Sequence, residues 1–338
     1  MKLFHVFFIA VFILAFLPNT VQSEGKISGV IFFDYYSILK NHRPSLEGRH
    51  GFWARRIYLT YDNDLTERFK MRLRLEMTSP GDFVSNDKLV PAVKDAYLSY
   101  GTGNHTAMFG IIATPTWSHL EGFWGYRAVA RTPLDLQGWG SSRDFGIGLR
   151  GDLNTGKTVS YWIMYGNGAS NRGETDKGKK VYGQIGLKPV KGVFVDINGE
   201  YEHRQDNIAY SVYQVVGGFE KTWGRAGVQL ARRCMNQNGE EMQWTLISVF
   251  SALRIAKTVE AAVRFDKMFD ANPDGERISY TPFSALAPSN LLIGILSWQA
   301  VQNVWLIPNI KYVYYDTPSF GEKPSDDFYC NLTLFFRY

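Results

Sequence analysis

The sequence predicts an all-β protein, a transmembrane antiparallel β-barrel of about sixteen strands. Three observations indicate this fold: segments of about ten residues that alternate apolar and polar side chains, connections that alternate between short and long, and no apolar run long enough for a membrane-spanning helix after residue 23. The barrel must close, because an open sheet edge in lipid would leave backbone groups unpaired. A soluble barrel would place its apolar faces inside, whereas here most positions of the inner face are charged.

The clearest alternation lies between residues 67 and 78. Successive side chains of a strand point to opposite faces. One face carries apolar side chains: Phe69, Met71, Leu73, Leu75 and Met77. The other face carries charged side chains: Arg68, Lys70, Arg72, Arg74 and Glu76. A helix would scatter these charges around its circumference, whereas a strand between lipid and water suits every position.

Sixteen such segments extend to the C-terminus. They cover approximately 27–38, 52–61, 67–78, 92–100, 105–115, 143–152, 157–166, 179–188, 192–204, 209–221, 224–234, 242–254, 258–267, 289–299, 303–316 and 327–338. The connections after even-numbered strands are short and the others are mostly long, which is typical of barrels with short periplasmic turns and long extracellular loops. Segments 242–254 and 289–299 are apolar on both faces, so their outward faces stay open.

Residues 1–23 predict a cleavable signal peptide. Lys2 precedes an apolar run from Leu3 to Leu17, and Ser23 ends a stretch that offers a small-residue cleavage site. An uncleaved N-terminal helix is the alternative. With the peptide removed, residues 24–338 would form the barrel, and we expect export to the outer membrane of a Gram-negative bacterium.

The inward face predicts an aqueous channel, because sixteen strands enclose more space than side chains fill. The cations predicted to line this pore and set its selectivity are Arg68, Lys70, Arg72, Arg74, Arg150 and Arg264. A row of cations lowers the barrier to anions and raises it for cations. Carboxylates share the inward face, so a balanced, salt-bridged wall with little selectivity is the alternative.

The longest loop, residues 116–142, combines aromatic and charged side chains. Its many aromatic residues would be costly to leave exposed. We expect this loop to fold into the barrel and constrict the pore, with its charges at Glu121, Arg127, Arg131 and Asp135. Gly146 and Gly148 of the next strand share the inward parity and would leave room for it. An external cap or a contact between subunits is the alternative role.

Other motifs predict no chemistry. Residues 146–151 match the GxGxxG fingerprint of dinucleotide sites, but they lie inside a strand that runs into a turn. Residues 270–275 resemble the start of a calcium loop, but Thr281 occupies the position of its final glutamate. The six histidines show no metal-ligand spacing. We therefore expect no cofactor, no metal and no catalytic residue, and the dispersed net charge of +5 indicates no nucleic-acid partner.

Several stretches resemble the phosphate-selective porin O/P family of Gram-negative outer membranes. They are residues 55–60, 62–76, 94–100, 141–146 and 307–313. The terminal aromatic residue, Tyr338, resembles the signal by which barrel-assembly machinery recognises such proteins. The resemblance implies a sixteen-stranded homotrimeric porin that passes small anions. One position differs: Ala113 stands where family members commonly carry a lysine.

The sequence thus predicts a passive outer-membrane porin for small hydrophilic solutes, leaning to anions, with phosphate among the candidates. Its partners would be outer-membrane lipid, small anionic or neutral solutes, and further copies in a homotrimer. A closed structural or adhesive barrel is one alternative. A barrel enzyme is another, but His105 and His119, the histidines near a lipid boundary, have no Ser or Asp partner at a telling spacing.

Overall fold

The structure is a computed structural model that describes residues 24–205 and 207–338. The predicted signal peptide lies outside the described residues. Sixteen antiparallel strands form one closed barrel, in which each strand pairs with its sequence neighbours and the first strand pairs with the last. This confirms the predicted fold class. No helix within the described residues is long and apolar enough to span a bilayer.

The strands begin and end close to the predicted residues. β1 to β8 span Lys26–Lys40, His50–Asp64, Phe69–Met77, Ala92–Thr102, His105–Ala113, Arg143–Asp152, Val159–Gly166 and Lys179–Leu187. β9 to β16 span Val193–His203, Ile208–Lys221, Gly224–Gln237, Glu240–Ala256, Val259–Met268, Ser289–Val301, Val304–Tyr315 and Asp327–Arg337. Between β5 and β6 lie two helices, α1 (Pro115–Trp124) and α2 (Pro133–Leu136). The connections after even-numbered strands mark the short-turn end of the barrel, and the opposite end is the long-loop end.

The structure resolves the two strands whose faces the sequence left open. On β12, Leu246 is buried inside the barrel and Val249 is exposed on the outer surface. On β14, Ile293 is buried inside and Leu292 is exposed outside. Both faces of these strands are apolar because the outer face is the barrel exterior and the inner face is covered by long loops.

An apolar core occupies the barrel interior beside β12–β15. Phe123 of α1 packs there with Phe194, Phe250 and Ile293, which point inward from the wall. The long loop 269–288 adds Phe283 to the same cluster. The interior is therefore asymmetric, because two loops fill the side next to these strands while the side next to β2–β6 keeps charged side chains.

Two register shifts interrupt the alternation on β2 and β4. The β1–β2 pairing passes from Phe32↔Arg56 to Phe33↔Ala54, which leaves Arg55 as an extra residue. The β3–β4 pairing passes from Arg74↔Asp95 to Leu75↔Val93, which leaves Lys94 as an extra residue. Such bulges re-aim side chains. Here each one places an additional cation on the lumen side.

Candidate functional site

The loop 114–142 begins with α1, whose ends are set by local sequence. Pro115 occupies the first turn, where the missing N–H costs nothing, and Thr114 before it is extended. Gly125 adopts a left-handed conformation with φ 74° and ends the helix. The helix buries an aromatic face that includes Trp117, Phe123 and Trp124, so the sequence itself directs this helix toward an apolar surface.

Polar contacts anchor the loop to the inner wall at β9–β13. Arg225 Nε donates to the Phe123 carbonyl at 2.8 Å, and its Nη2 donates to the Trp124 carbonyl at 3.2 Å. The Thr116 hydroxyl donates to Glu200 on β9. Arg264 Nη1 on β13 donates to the Arg131 carbonyl at 2.6 Å. These contacts hold the loop inside the barrel.

Room for the loop comes from two glycines on β10 and β11. A Cβ on Gly218 would lie 2.5 Å from Phe123, and one on Gly227 would lie 2.8 Å from the same ring. The sequence had suggested Gly146 and Gly148 for this role. A Cβ on Gly148 would instead meet Ile112 of the neighbouring strand at 2.9 Å. The glycines that make room for Phe123 therefore lie on β10 and β11, and not on β6.

The edge of the loop that faces away from this wall is charged. Arg127 Nε lies 3.2 Å from Glu121 Oε2, and its Nη2 lies 3.7 Å from Asp135 Oδ2. The β2–β6 wall also carries charge inside the barrel: Arg56 on β2 pairs with Glu76 at 2.9 Å, and Arg143 on β6 pairs with Asp95. The charged edge of the loop and the charged side chains of the β2–β6 wall therefore lie close together inside the barrel.

We call this charged cluster the eyelet. Its cations are Arg56, Arg74, Lys94, Arg127 and Arg143, and its carboxylates are Glu76, Asp95, Glu121 and Asp135. Ion pairs link most of them: Arg56 Nε lies 2.9 Å from Glu76, Lys94 Nζ lies 2.9 Å from the same carboxylate, and Arg74 Nη1 lies 3.1 Å from Asp95. The carboxylates orient the cations without fully balancing them.

Further positive charge lies behind the eyelet. Arg55 is 4% exposed; its Nη1 lies 3.1 Å from Asp34 and donates to the Val129 carbonyl at 2.8 Å. Arg131 makes no ion pair with any described residue. Burial lowers the pKa of Arg131, and the guanidinium groups of Arg127, Arg56 and Arg55 lower it further, against an opposing effect of Asp135. Three guanidinium groups and one carboxylate therefore act on this loop residue.

Three basic side chains also line a small cavity of about 10 Å³, room for one water-sized particle. They are Arg55, Arg131 and Lys311. Lys311 is 2% exposed and has no ion-pair partner among the described residues. Two guanidinium groups, those of Arg55 and Arg131, thus lie behind the eyelet beside the carboxylate of Asp34.

The predicted basic row lies along β3, and each of its strand residues faces a carboxylate. Lys70 Nζ lies 3.0 Å from Asp64, and Arg72 forms two bonds to Asp62, at 2.7 and 2.9 Å. The row is therefore salt-bridged along the wall between the eyelet and the short-turn end, as the alternative interpretation expected. Only Arg74 of this row belongs to the eyelet.

The other predicted pore cations occupy different places. Arg68 lies in the turn before β3. Arg150 is exposed toward the short-turn end, with its guanidinium 5.1 Å from the ring centroid of Trp162. Arg264 is 0% exposed and binds Asp266 and the loop carbonyl of Arg131. Arg264 therefore anchors the loop and is not accessible from the lumen.

Sequence reasoning did not assign Arg55, Arg56, Lys94 and Arg143 to the lumen. Strict alternation allows only one residue of each adjacent pair to face inward. A signal was present, since Arg55-Arg56 and Lys94-Asp95 place two consecutive charges inside predicted membrane strands. Both charges avoid lipid only if a bulge interrupts the strand.

No group of three His, Cys, Asp or Glu side chains suited to a metal ion occurs in residues 24–205 and 207–338. No protein-family model matches the sequence, so the resemblance to the phosphate-selective O/P family stays a prediction. No curated protein is similar to it in sequence.

Solved structures are similar to this chain in fold. An anion-selective porin from Comamonas acidovorans is 11% identical, with a TM-score of 0.70 over 94% of this chain and 100% of that one. The outer membrane channel DcaP of Acinetobacter baumannii is 13% identical, with a TM-score of 0.66 over 96% and 100%. The trimer form of OmpT, an outer membrane protein of Vibrio cholerae, is 8% identical, with a TM-score of 0.61 over 94% and 99%. The chain thus has the barrel fold of these outer-membrane proteins.

Proposed function

We propose that this chain is a passive porin of the Gram-negative outer membrane that admits small hydrophilic solutes and prefers anions, with phosphate among them. The observation that carries the proposal is the eyelet, where a bulge adds Lys94 to a wall that already holds Arg56, while a second bulge adds Arg55 behind it. The fold shared with an anion-selective porin supports the same class of function.

The eyelet would act by size and by charge. The anchored loop narrows the lumen, so large solutes are excluded, while the excess of cations concentrates anions and lowers their barrier. Conduction also requires that the solute leave again. Carboxylates such as Glu76 and Asp95 would weaken anion binding enough to allow this release.

The proposal includes the biogenesis and assembly expected from the sequence. Residues 1–23 would be removed as a signal peptide, and Tyr338 would be recognised by the barrel-assembly machinery. The short turns would lie in the periplasm and the long loops outside the cell. The trimer form of the Vibrio cholerae protein supports a homotrimer. No catalytic role is proposed.

Planar-bilayer recordings in a salt gradient test this function. We expect a reversal potential that indicates anion preference and a chloride conductance that added phosphate reduces. Lys94→Gln should lower the anion-to-cation permeability ratio about twofold, because a lumen cation beside Glu76 is removed. Arg277→Gln is the matched control, since Arg277 is 87% exposed at the long-loop end. A cation preference of the unmodified protein would contradict the proposal.

A closed structural or adhesive barrel is the second candidate. The observation that favours it is the apolar core, in which Phe123 and Phe283 fill the interior beside β12–β15. Complete absence of conductance from correctly folded protein would favour this candidate over the porin.

A further inference from the structure

A second feature of the lumen lies at the short-turn end, outside the eyelet. An open cavity of about 450 Å³ is found there. It lies between the end of α1 and the short-turn ends of β12–β16. We call this cavity the aromatic vestibule and define it by its aromatic and cationic lining residues: Arg254, Lys257, Trp305, Phe335 and Arg337. The volume is typical of a binding site for a small organic molecule.

Aromatic rings on three adjacent strands form one wall of the vestibule. Trp305 on β15 pairs with Phe335 on β16, which pairs with Phe32 on β1. The Trp305 and Phe335 ring centroids are 5.0 Å apart with an interplanar angle of 27°, and Phe32 packs edge-on against Phe335 at 6.3 Å. Phe32 is buried, whereas Trp305 and Phe335 are half-buried and line the cavity. Apolar ring surface is thus presented to the lumen, where water would wet it at a cost.

Arg337 is held beside this wall. Its guanidinium carbon lies 4.7 Å from the ring centroid of Trp305. Stacking on an aromatic ring orients the planar guanidinium and leaves its N–H edge available to a carboxylate. The Arg337 side chain has no hydrogen-bond or ion-pair partner among the described residues. A bidentate carboxylate contact is the interaction that this group lacks.

The remaining charges of the vestibule leave it positive. Arg254 and Lys257 also have no ion-pair partner in the described part of the chain. Of the two lining carboxylates, Glu260 is engaged by Arg225 at 3.0 Å and by the Tyr126 hydroxyl. Glu220 is the other. The vestibule therefore offers apolar ring surface next to unpaired cations.

We infer that the aromatic vestibule binds aromatic monocarboxylates, with benzoate as the simplest probe. The carboxylate would bind the Arg337 guanidinium, and the ring would contact the edges of Trp305 and Phe335, while Arg254 and Lys257 stabilise the negative charge. The inference extends the proposed function by naming a class of solute. Binding itself does not require conduction.

Isothermal titration of the purified full chain in detergent tests the binding with benzoate, acetate and benzamide. We expect saturable benzoate binding, and binding at least about tenfold weaker for acetate, which lacks the ring, and for benzamide, which lacks the charge. Equal affinity for benzoate and acetate would overturn the inference, because charge alone would then explain binding. Equal affinity for benzoate and benzamide would also overturn the inference, because the aromatic ring alone would then explain binding.

Two variants locate the site. Arg337→Gln and Trp305→Leu should each weaken benzoate binding about tenfold. Trp298→Leu is the matched control for the tryptophan, because Trp298 is exposed on the outer surface of β14. If Trp305→Leu does not fold, Arg337→Gln still tests the site. Unchanged benzoate affinity in Arg337→Gln would contradict the assignment.

Bilayer recordings separate this inference from the proposed function. Benzoate added at the short-turn end should block chloride current in the unmodified protein and not in Arg337→Gln. Normal conductance without benzoate binding would overturn the vestibule and leave the porin intact. Benzoate binding without any conductance would overturn the porin and leave the vestibule intact.

Discussion

His42 joins three chain segments at the long-loop end of the barrel. Its Nδ1 lies 2.8 Å from Asp327 at the start of β16, and its Nε2 lies 3.2 Å from Glu276 in the loop 269–288. The Tyr315 hydroxyl donates to the same Asp327 at 2.7 Å, and Arg43 Nε lies 3.6 Å from Glu276. Burial disfavours the charged imidazole, but Asp327 and Glu276 outweigh burial, so the pKa of His42 is raised.

This geometry predicts a pH-dependent contribution to stability. Because the pKa is raised in the folded state, the stabilisation is fully present below the unfolded pKa of about 6.5 and is lost as pH rises through the folded value. His42→Gln should therefore destabilise the barrel by about 1–3 kcal/mol near pH 6 and by less at pH 9. The measurement is the heat-unfolding midpoint of both proteins across this range.

His203→Gln, at an exposed histidine, is the control for this series. Its midpoint should follow that of the unmodified protein at every pH. A difference between His42→Gln and the unmodified protein that does not change with pH would show that the imidazole charge makes no contribution.

Among the elements, α1 packs an aromatic face against the inner wall of the barrel. Phe123 contacts Phe194 and Phe250 with ring centroids 4.6 and 5.3 Å apart. Removing this ring from a packed site costs about 3–5 kcal/mol. The cost falls on the contact that keeps the loop against the β9–β13 wall.

Phe123→Ala should therefore loosen the loop and change the channel. We expect a noisier current and faster entry of disaccharides in liposome-swelling assays. Phe219→Ala removes a ring from the outer surface of β10 and should leave both measurements unchanged. Unaltered sugar entry in Phe123→Ala would mean that the loop does not limit the pore.

The sequence predicted the strands well because the pattern that indicates each strand lies within that strand and its flanking turns. Alternation with period two sets the faces, and turn residues set the ends, so β6 spans the predicted residues 143–152. The rule fails where tertiary contacts decide. Leu246 and Ile293 gave no signal of their face, because the loops that bury them are distant in sequence.

The candidate site was predicted less completely than the fold. The sequence proposed charges of the loop from the composition of residues 116–142. It did not propose the wall beside them, since Arg55 and Lys94 enter the lumen through bulges that periodicity cannot foresee. Arg264 shows the opposite problem: it has the inward parity, but burial by the loop removes it from the lumen.

At the scale of the whole molecule, barrel closure depends on the end of the chain. β1 and β16 pair from Val30↔Arg337 onward, and Tyr338 and Gly29 exchange two backbone hydrogen bonds, of 3.0 and 3.1 Å. In lipid, each backbone group left without a partner costs several kcal/mol. The last residues are thus part of the seam that closes the barrel.

Deleting residues 336–338 should prevent stable closure. We expect little heat-modifiable barrel when this variant is refolded into detergent micelles, where no assembly machinery is present. Tyr338→Phe keeps both backbone hydrogen bonds and should refold like the unmodified protein. Normal refolding of the truncated chain would show that closure does not need the terminal pairs, and would leave recognition by the machinery as the role of this segment.

The bulges at Arg55 and Lys94 have a consequence for how such a chain changes in evolution. Each added lumen charge depends on one extra residue in a strand, so deleting that residue restores strict alternation and removes the charge in a single event. The ionic character of the lumen can therefore change through insertions and deletions as well as through substitutions. Alignments of related chains must allow single-residue gaps within strands, because otherwise they would assign lipid-facing residues to the lumen.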